Sequence, residues 1–139
     1  MSDIKLGILD QSVVRTDSSA ISAVQETIET AILAEKLGYH RFWISEHHNS
    51  TFIAGSTPEV LMARLGAETS QIRLGSGGIM LPNHSAFKVA ENFRMLEALY
   101  PGRIDLGIGR APGGDGISAS LLNPSNTFLN FSSSTFIIF

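Results

Sequence analysis

Arg41-Phe42-Trp43-Ile44-Ser45-Glu46-His47-His48-Asn49-Ser50 is the stretch that decides the fold. Its first five residues are rich in aromatic and β-branched side chains and read as a strand, which gives way at once to a polar loop. On its N-terminal side, Ile21, Val24, Ile28, Ala31 and Ile32 recur at helical spacing after Ser19. Gln25, Glu26, Glu29 and Lys36 fall mostly on the other face, and Gly38 is the expected stop. Further back, Ile4 to Leu9 alternates as a short strand does and runs into Asp10, Gln11 and Ser12. On the C-terminal side, Thr57 and Pro58 open a second helix whose packing face is Val60, Leu61, Ala63 and Leu65. Ile72 to Leu81 reads as a third strand with Gly75, Gly77 and Gly78 inside it. Ser85 can cap a third helix with the stripe Val89, Phe93, Leu96 and Tyr100, ended by Pro101-Gly102, and Arg103 to Arg110 makes a fourth strand.

Regular alternation of strand and helix calls for parallel strands joined by right-handed crossovers. The class is therefore α/β, with about four parallel strands pairing in sequence order and helices on one side. Two architectures satisfy it, a doubly wound open sheet and a (β/α)8 barrel. The pattern ends near Leu121, where Leu122 to Asn126 reads as loop. Residues 127–139 form an uncharged serine and aromatic stretch without periodicity, expected to be irregular and aggregation-prone.

Composition narrows the function classes. The 139 residues are 43% hydrophobic and 17% charged, which suits one globular domain. A formal net charge of -3 gives no broad basic footprint, so nucleic acid is a poor partner. The absence of cysteine excludes disulfides, thiolate metal sites and a cysteine nucleophile. Met1 to Lys5 runs straight into the first strand without a signal-like segment, and no apolar run approaches the roughly 20 residues of a membrane span. The expectation is a cytoplasmic chain without membrane partners.

In βα architectures, function sits at the C-terminal ends of the strands. Those ends hold Asp10-Gln11, Glu46 to Asn49, Gly77 to Asn83, and Gly109 to Gly114. Glu46, His47 and His48 are all metal-ligand types, but successive strand residues point to opposite faces, so both histidines would not reach one ion without a turn. No metal is assigned. A histidine at a strand end can instead pack structurally, line a cleft, or act as a general acid or base near neutral pH. Arg110 can contact a phosphate bidentately beside Gly113-Gly114, or simply be solvated at a turn. Gly75, Gly77 and Gly78 suit either close approach of a flat ligand or a bulge with tight packing. The run Gly107 to Pro112 does not make a dinucleotide loop, because Pro112 stands where a helix should open.

Taken together, Phe42 to Asn49, Ile72 to His84 and Gly102 to Gly114 closely resemble the luciferase-like flavin monooxygenases, in the family's order. The resemblance covers residues 1–126 as a partial barrel domain and leaves 127–139 as a tail outside it. It implies a (β/α)8 barrel binding reduced FMN from a separate flavin reductase and using O2 to oxidise a small organic substrate such as an aldehyde. By position, His47 matches the family's active-site histidine, with Glu46 and His48 flanking it. Gly77-Gly78 falls where bacterial luciferase carries a non-proline cis peptide against the flavin ring, and Arg110 matches an arginine on the flavin phosphate. Gly109 stands where luciferase proper has a reactive cysteine, which points to the wider family rather than to a light-emitting enzyme. The cofactor residues implied are thus Glu46, Gly77, Gly78, Gly109 and Arg110, with His47 catalytic. A relative using the deazaflavin F420 would share the barrel. Because such a barrel takes about 250 residues, the chain is expected to be a truncated N-terminal part, inactive alone, able to bind flavin weakly or to self-associate as a homo-oligomer.

Overall fold

The computed structural model describes residues 4–123. In chain order they form β1 (Gly7–Asp10), α1 (Ala20–Lys36), β2 (Arg41–Ile44), α2 (Pro58–Glu68), β3 (Arg73–Ser76), β4 (Ile79–Met80), α3 (Ala86–Leu99), β5 (Ile104–Asp105), β6 (Ile108–Gly109) and α4 (Gly116–Leu122). A single 3-10 turn, Leu81–Asn83, precedes α3. β1, β2, β3 and β5 make a parallel sheet in that order, as the alternation predicts.

The register sorts the strand residues onto two faces. Ile8, Phe42, Leu74 and Ile104 lie side by side, and this row packs with Ile28, Met62, Leu65, Phe93 and Leu96 from the three helices. Phe42, Ile44, Leu74, Met62 and Leu65 are wholly buried, each such side chain contributing roughly 1.5–3 kcal/mol of transfer free energy. The helices therefore cover one side. The opposite row, Leu9, Trp43 and Gly75, forms the inner face, where Leu9 is 56% exposed. At Gly75 the flat group pressed on the backbone is the protein's own: a Cβ there would overlap the Trp43 indole.

The helix starts follow their caps. Ser19 Oγ accepts from Ser22 N at 3.1 Å, Ser85 Oγ accepts from Lys88 N at 3.4 Å, and Gly38 ends α1 at φ +79°. The packing faces differ from expectation at two positions, since Ile21 (84% exposed) and Val60 (65%) point outward. The buried positions are smaller, with Ala23, Ala31 and Ala34 letting α1 approach closely. In α2, Gly66 is covered by the Tyr100 ring, whose hydroxyl donates to Ala63 O at 2.6 Å.

Three sequence readings are corrected. The third strand does not run from Ile72 to Leu81, nor the fourth unbroken from Arg103 to Arg110. Each breaks in two, and the second halves re-pair as a separate parallel ladder, β4 on β6. The break is bridged by Ser76, whose hydroxyl donates to Gly107 O (2.9 Å) and accepts from Gly107 N (3.0 Å), replacing a backbone pair. Leu122, expected to start a loop running to Asn126, instead ends α4, which is started by Asp115, whose carboxylate accepts from Ser118 N at 2.8 Å; residues 124–126 of that expected loop lie outside the described residues. Asn123 Nδ2 then ties its end to Pro82 O. The expected irregular tail, 127–139, lies outside the described residues. Among those described, no helix is long and apolar enough to cross a membrane.

Candidate active site

The C-terminal ends of β1, β2, β3 and β6 all point one way because the strands are parallel, so their loops share a rim. Two loops there are laced together by Val14 N donating to Phe52 O (2.8 Å) and Ala54 N to Ser12 O (2.9 Å), and the second is closed on itself by His47 N donating to Gly55 O (2.9 Å). The turn after β1 is fixed from inside. Asp10 Oδ1 accepts from Ser12 N and Thr27 Oγ1, both at 2.7 Å, while the buried Ser12 and Thr27 hydroxyls meet at 2.9 Å.

Glu46 is the centre of the rim. It is fully buried, and Oε2 accepts from Met80 N at 2.8 Å. Oε1 lies 2.6 Å from His48 Nε2 and 2.7 Å from His84 Nε2. One carboxylate thus joins the loop after β2, strand β4 and the residue before the α3 cap. Such a buried charge is tolerated because hydrogen-bond donors surround it. Both carboxylate oxygens of Glu46 are engaged by the protein, so in this arrangement it positions the surrounding segments.

His47 and His48 do diverge, as strand alternation requires. His47 Nδ1 is 3.2 Å from Ser45 Oγ, and the residue lines a cleft of about 510 Å³ with Val14, Ser18, Ser19, Asn49 and Ile53. Gly77, Gly78 and Arg110 are at the same rim but do not line that cleft. The Gly77–Gly78 peptide is cis, as the resemblance implies. Gly77 N donates to Ile44 O at 2.7 Å, and a Cβ on Gly77 would sit 3.0 Å from Leu9 Cδ1 on the inner face. A Cβ on Gly78 would meet the Gly107 backbone at 3.0 Å. The backbone contact makes Gly78 the tighter of the two positions, since the Leu9 side chain beside Gly77 is exposed and can give. Gly109 likewise lies against Met80 Sδ, 2.7 Å from where a Cβ would be, and is buried.

Arg110 is exposed at the end of β6. The glycine loop beyond it docks on the β2 loop: His48 N donates to Gly113 O at 2.7 Å, and a Cβ on Gly114 would stand 2.8 Å from His48 O. Asn49 Nδ2 donates to Asp115 Oδ2 at 2.9 Å. Bonds from the Ser118 hydroxyl, from Ser118 N and from Asn49 hold the Asp115 carboxyl down at about 2. His84 was within the quoted motif, but its meeting with Glu46 was not foreseen. The polar signal was Asn83-His84 just before the Ser85 cap.

Residues 4–117 match the family model described as Luciferase-like monooxygenase. The chain is similar to N-acetyl-S-alkylcysteine monooxygenase of Bacillus subtilis, 55% identical over 86% of this chain and 36% of that protein. Among solved structures it is similar to apo-MsnO8, with TM-score 0.85 and 45% identity over 95% of this chain and 38% of the other. A second is the oxygenating constituent of 3,6-diketocamphane monooxygenase from Pseudomonas putida, a type II Baeyer–Villiger monooxygenase in complex with FMN. There the TM-score is 0.79 and the identity 25%, over 91% and 34% of the two chains. An F420-dependent secondary alcohol dehydrogenase, 21% identical with TM-score 0.59 over 77% and 32%, shares the fold alone. The chain spans about a third of the length of the curated relatives it matches.

Proposed function

The chain belongs to the luciferase-like monooxygenase family, and from that premise we propose that it contributes the strand-end wall of a reduced-FMN site in an enzyme that uses O2 to oxidise a small organic substrate such as an aldehyde. A separate flavin reductase supplies the reduced cofactor in this reading. The observation that carries it is the gathering of Gly77–Gly78, the His47 cleft and the exposed Arg110 at one rim of a parallel sheet. The FMN-bound structure among the similar proteins supports a flavin there.

The donor set suits such a group. The half-buried Gly77 beside the exposed Leu9 offers an edge without a side chain for a flat ring, and Arg110 offers a guanidinium for a phosphate. When bound, reduced FMN supplies the electrons that activate O2. His47, with Nδ1 turned to Ser45, is placed to hold or pass a proton at Nε2. Glu46 keeps the β2 loop, β4 and the α3 start in register around these groups.

The test is titration of the purified chain with FMN and, separately, with F420, followed by reductase-coupled oxygen consumption at several protein concentrations. One charge-assisted hydrogen-bonding pair contributes about 1.5–3 kcal/mol, whereas micromolar affinity takes about 8 kcal/mol. The chain alone should therefore bind FMN more weakly than micromolar, turn over little or no substrate, and bind more weakly still as Arg110→Ala. Unchanged FMN binding in Arg110→Ala overturns the phosphate assignment, and preference for F420 transfers the site to a deazaflavin. Micromolar binding with turnover by a monomer would mean the chain needs no further wall.

A further inference from the structure

Glu46, His48 and His84 meet a requirement that the flavin reading does not use. Each offers one ligand atom, and the three atoms lie within 4.8 Å of one another. They come from two segments brought together by the sheet, and His47, turned to Ser45, takes no part. The carboxylate is 1% exposed, His48 11% and His84 27%, so the group is closed on the protein side and open past His84. We propose that Glu46, His48 and His84 form a binding site for a divalent transition-metal ion of the zinc type, with a water in the fourth position.

The donor chemistry selects that class. Two imidazoles and one carboxylate suit zinc, whereas magnesium and calcium take oxygen ligands. Three protein ligands with one open position is the arrangement of reactive rather than purely structural zinc sites. The surroundings also hold the carboxylate and the backbone that carries the two imidazoles in place. Met80 N holds Glu46 Oε2, leaving Oε1 to face the two imidazoles. His48 is held through its backbone N on Gly113 O, and His84 through its backbone N on Leu81 O.

The present distances state what the ion must displace. At 2.6 and 2.7 Å, both Nε2 atoms are hydrogen-bonded to Oε1. Metal bonds of about 2.0–2.1 Å place tetrahedral ligand atoms about 3.3 Å apart, so the cluster must open by about 0.6 Å. His84, the most exposed of the three, is the ring with room to move. Each ring must also give up its Nε2 proton, to its own Nδ1 or to water, so that the lone pair faces the ion. This inference is independent of the flavin proposal and survives its failure.

The experiment uses the purified chain, stripped with a chelator and equilibrated with Zn2+ alone, then with Co2+ as a spectroscopic probe. The expected result is one Zn2+ per chain and the intense visible absorption of four-coordinate Co2+. His84→Ala and His48→Ala should each weaken Zn2+ binding at least tenfold. His40→Ala, at the other end of the sheet, should leave it unchanged and so exclude adventitious histidine binding. Glu46→Gln should also weaken binding, with circular dichroism confirming that the variant folds. Absence of stoichiometric Zn2+, a purely octahedral Co2+ spectrum of the wild-type chain, or undiminished affinity in both His84→Ala and His48→Ala overturns the site.

Discussion

The two ends of the parallel sheet hold carboxylates with different partners. At the strand starts, Asp105 accepts from Arg41 Nε at 3.0 Å and from Arg73 Nε and Nη2 at 2.9 and 2.5 Å. Glu35 gathers the backbone N–H groups of Ser70, Gln71 and Ile72 at 2.6–3.0 Å. At the strand ends, Glu46 is held by one backbone N–H and two imidazoles. Guanidinium and amide groups can only donate here, whereas an imidazole nitrogen can donate, accept or bind a metal ion. The starts are therefore fastened permanently, and the ends are built from groups that can move protons or take a ligand. The charge balance agrees: burial, then Lys5, Arg41 and Arg73, push His40 down despite Asp105.

The largest effect should come from the strand starts. Asp105→Ala leaves two guanidiniums facing each other without their shared carboxylate. Removing one partner of a buried pair costs about 3–5 kcal/mol, and the arginines here are 28–29% exposed, so the expected loss is near the low end, about 3 kcal/mol. A urea titration reads it. A loss below about 1 kcal/mol would place Asp105 with ordinary surface pairs and erase the contrast between the two ends.

Ser76→Ala probes the junction between them. Ser76 is fully buried, and its loss strands the N–H of Gly107 and removes one of two bonds to the Gly107 C=O, which keeps Ile79 N at 2.8 Å. Unsatisfied buried groups cost about 1–3 kcal/mol, so about 2 kcal/mol is expected in the same assay. Ser76→Thr, which retains the hydroxyl, should lose less if the added methyl can be accommodated. Equal losses in both variants would show that packing, not the bridge, sets the cost.

How much of this was legible in the sequence depends on how local each signal was. Ser19, Ser85 and Gly38 announced the helix ends because capping is decided within a turn. The strand order followed from alternation alone. The Gly77–Gly78 geometry was readable only through resemblance, and the same three glycines stayed ambiguous because Trp43, which fills Gly75, is 32 positions away. The meeting of His84 with Glu46 spans 38 positions and depends on β4 sitting beside the β2 loop. The strand breaks were hidden because the ladder crosses them on a serine hydroxyl, Ser76 on Gly107, joined by a single backbone bond from Ile79 N to Gly107 O. Helix α4 was missed because its seven residues show no stripe and its only announcement is the Asp115 cap.

A pH-resolved comparison sharpens the contrast further. Burial would raise Glu35, but the bonds from Ile72, Gln71 and Ser70 together bring it below its usual value. Asp105 is likewise lowered, burial being outweighed by the bonds from Arg73 and Arg41. A carboxyl depressed on folding adds stability that is complete above its unfolded value near 4 and is lost as pH falls through the folded one. Glu35→Gln should thus cost about 1.5 kcal/mol at neutral pH, with the gap to wild type narrowing in acid as wild-type Glu35 takes up its proton. Urea midpoints at neutral pH and below the carboxylate range check the sign. A gap that widens in acid would contradict the assignment.

The smallest effect should come from the exposed link between the two rim loops. Asn49 holds φ +52° and donates to Asp115, and both features can be separated by substitution. Asn49→Ala loses the hydrogen bond and places a Cβ residue in the left-handed region, which costs about 1–2 kcal/mol for ordinary residues and less for asparagine. Asn49→Gly loses the same bond but adopts the backbone freely. Glycine should therefore stay within about 0.5 kcal/mol of wild type, as exposed substitutions generally do, while alanine falls below it. That ordering would assign Asn49 to backbone geometry and leave the buried Glu46 cluster as what holds the strand-end loops together. If glycine instead loses as much as alanine, the Asn49–Asp115 bond is itself a principal tie of the rim, and the strand ends are fastened at their surface as well as at their centre.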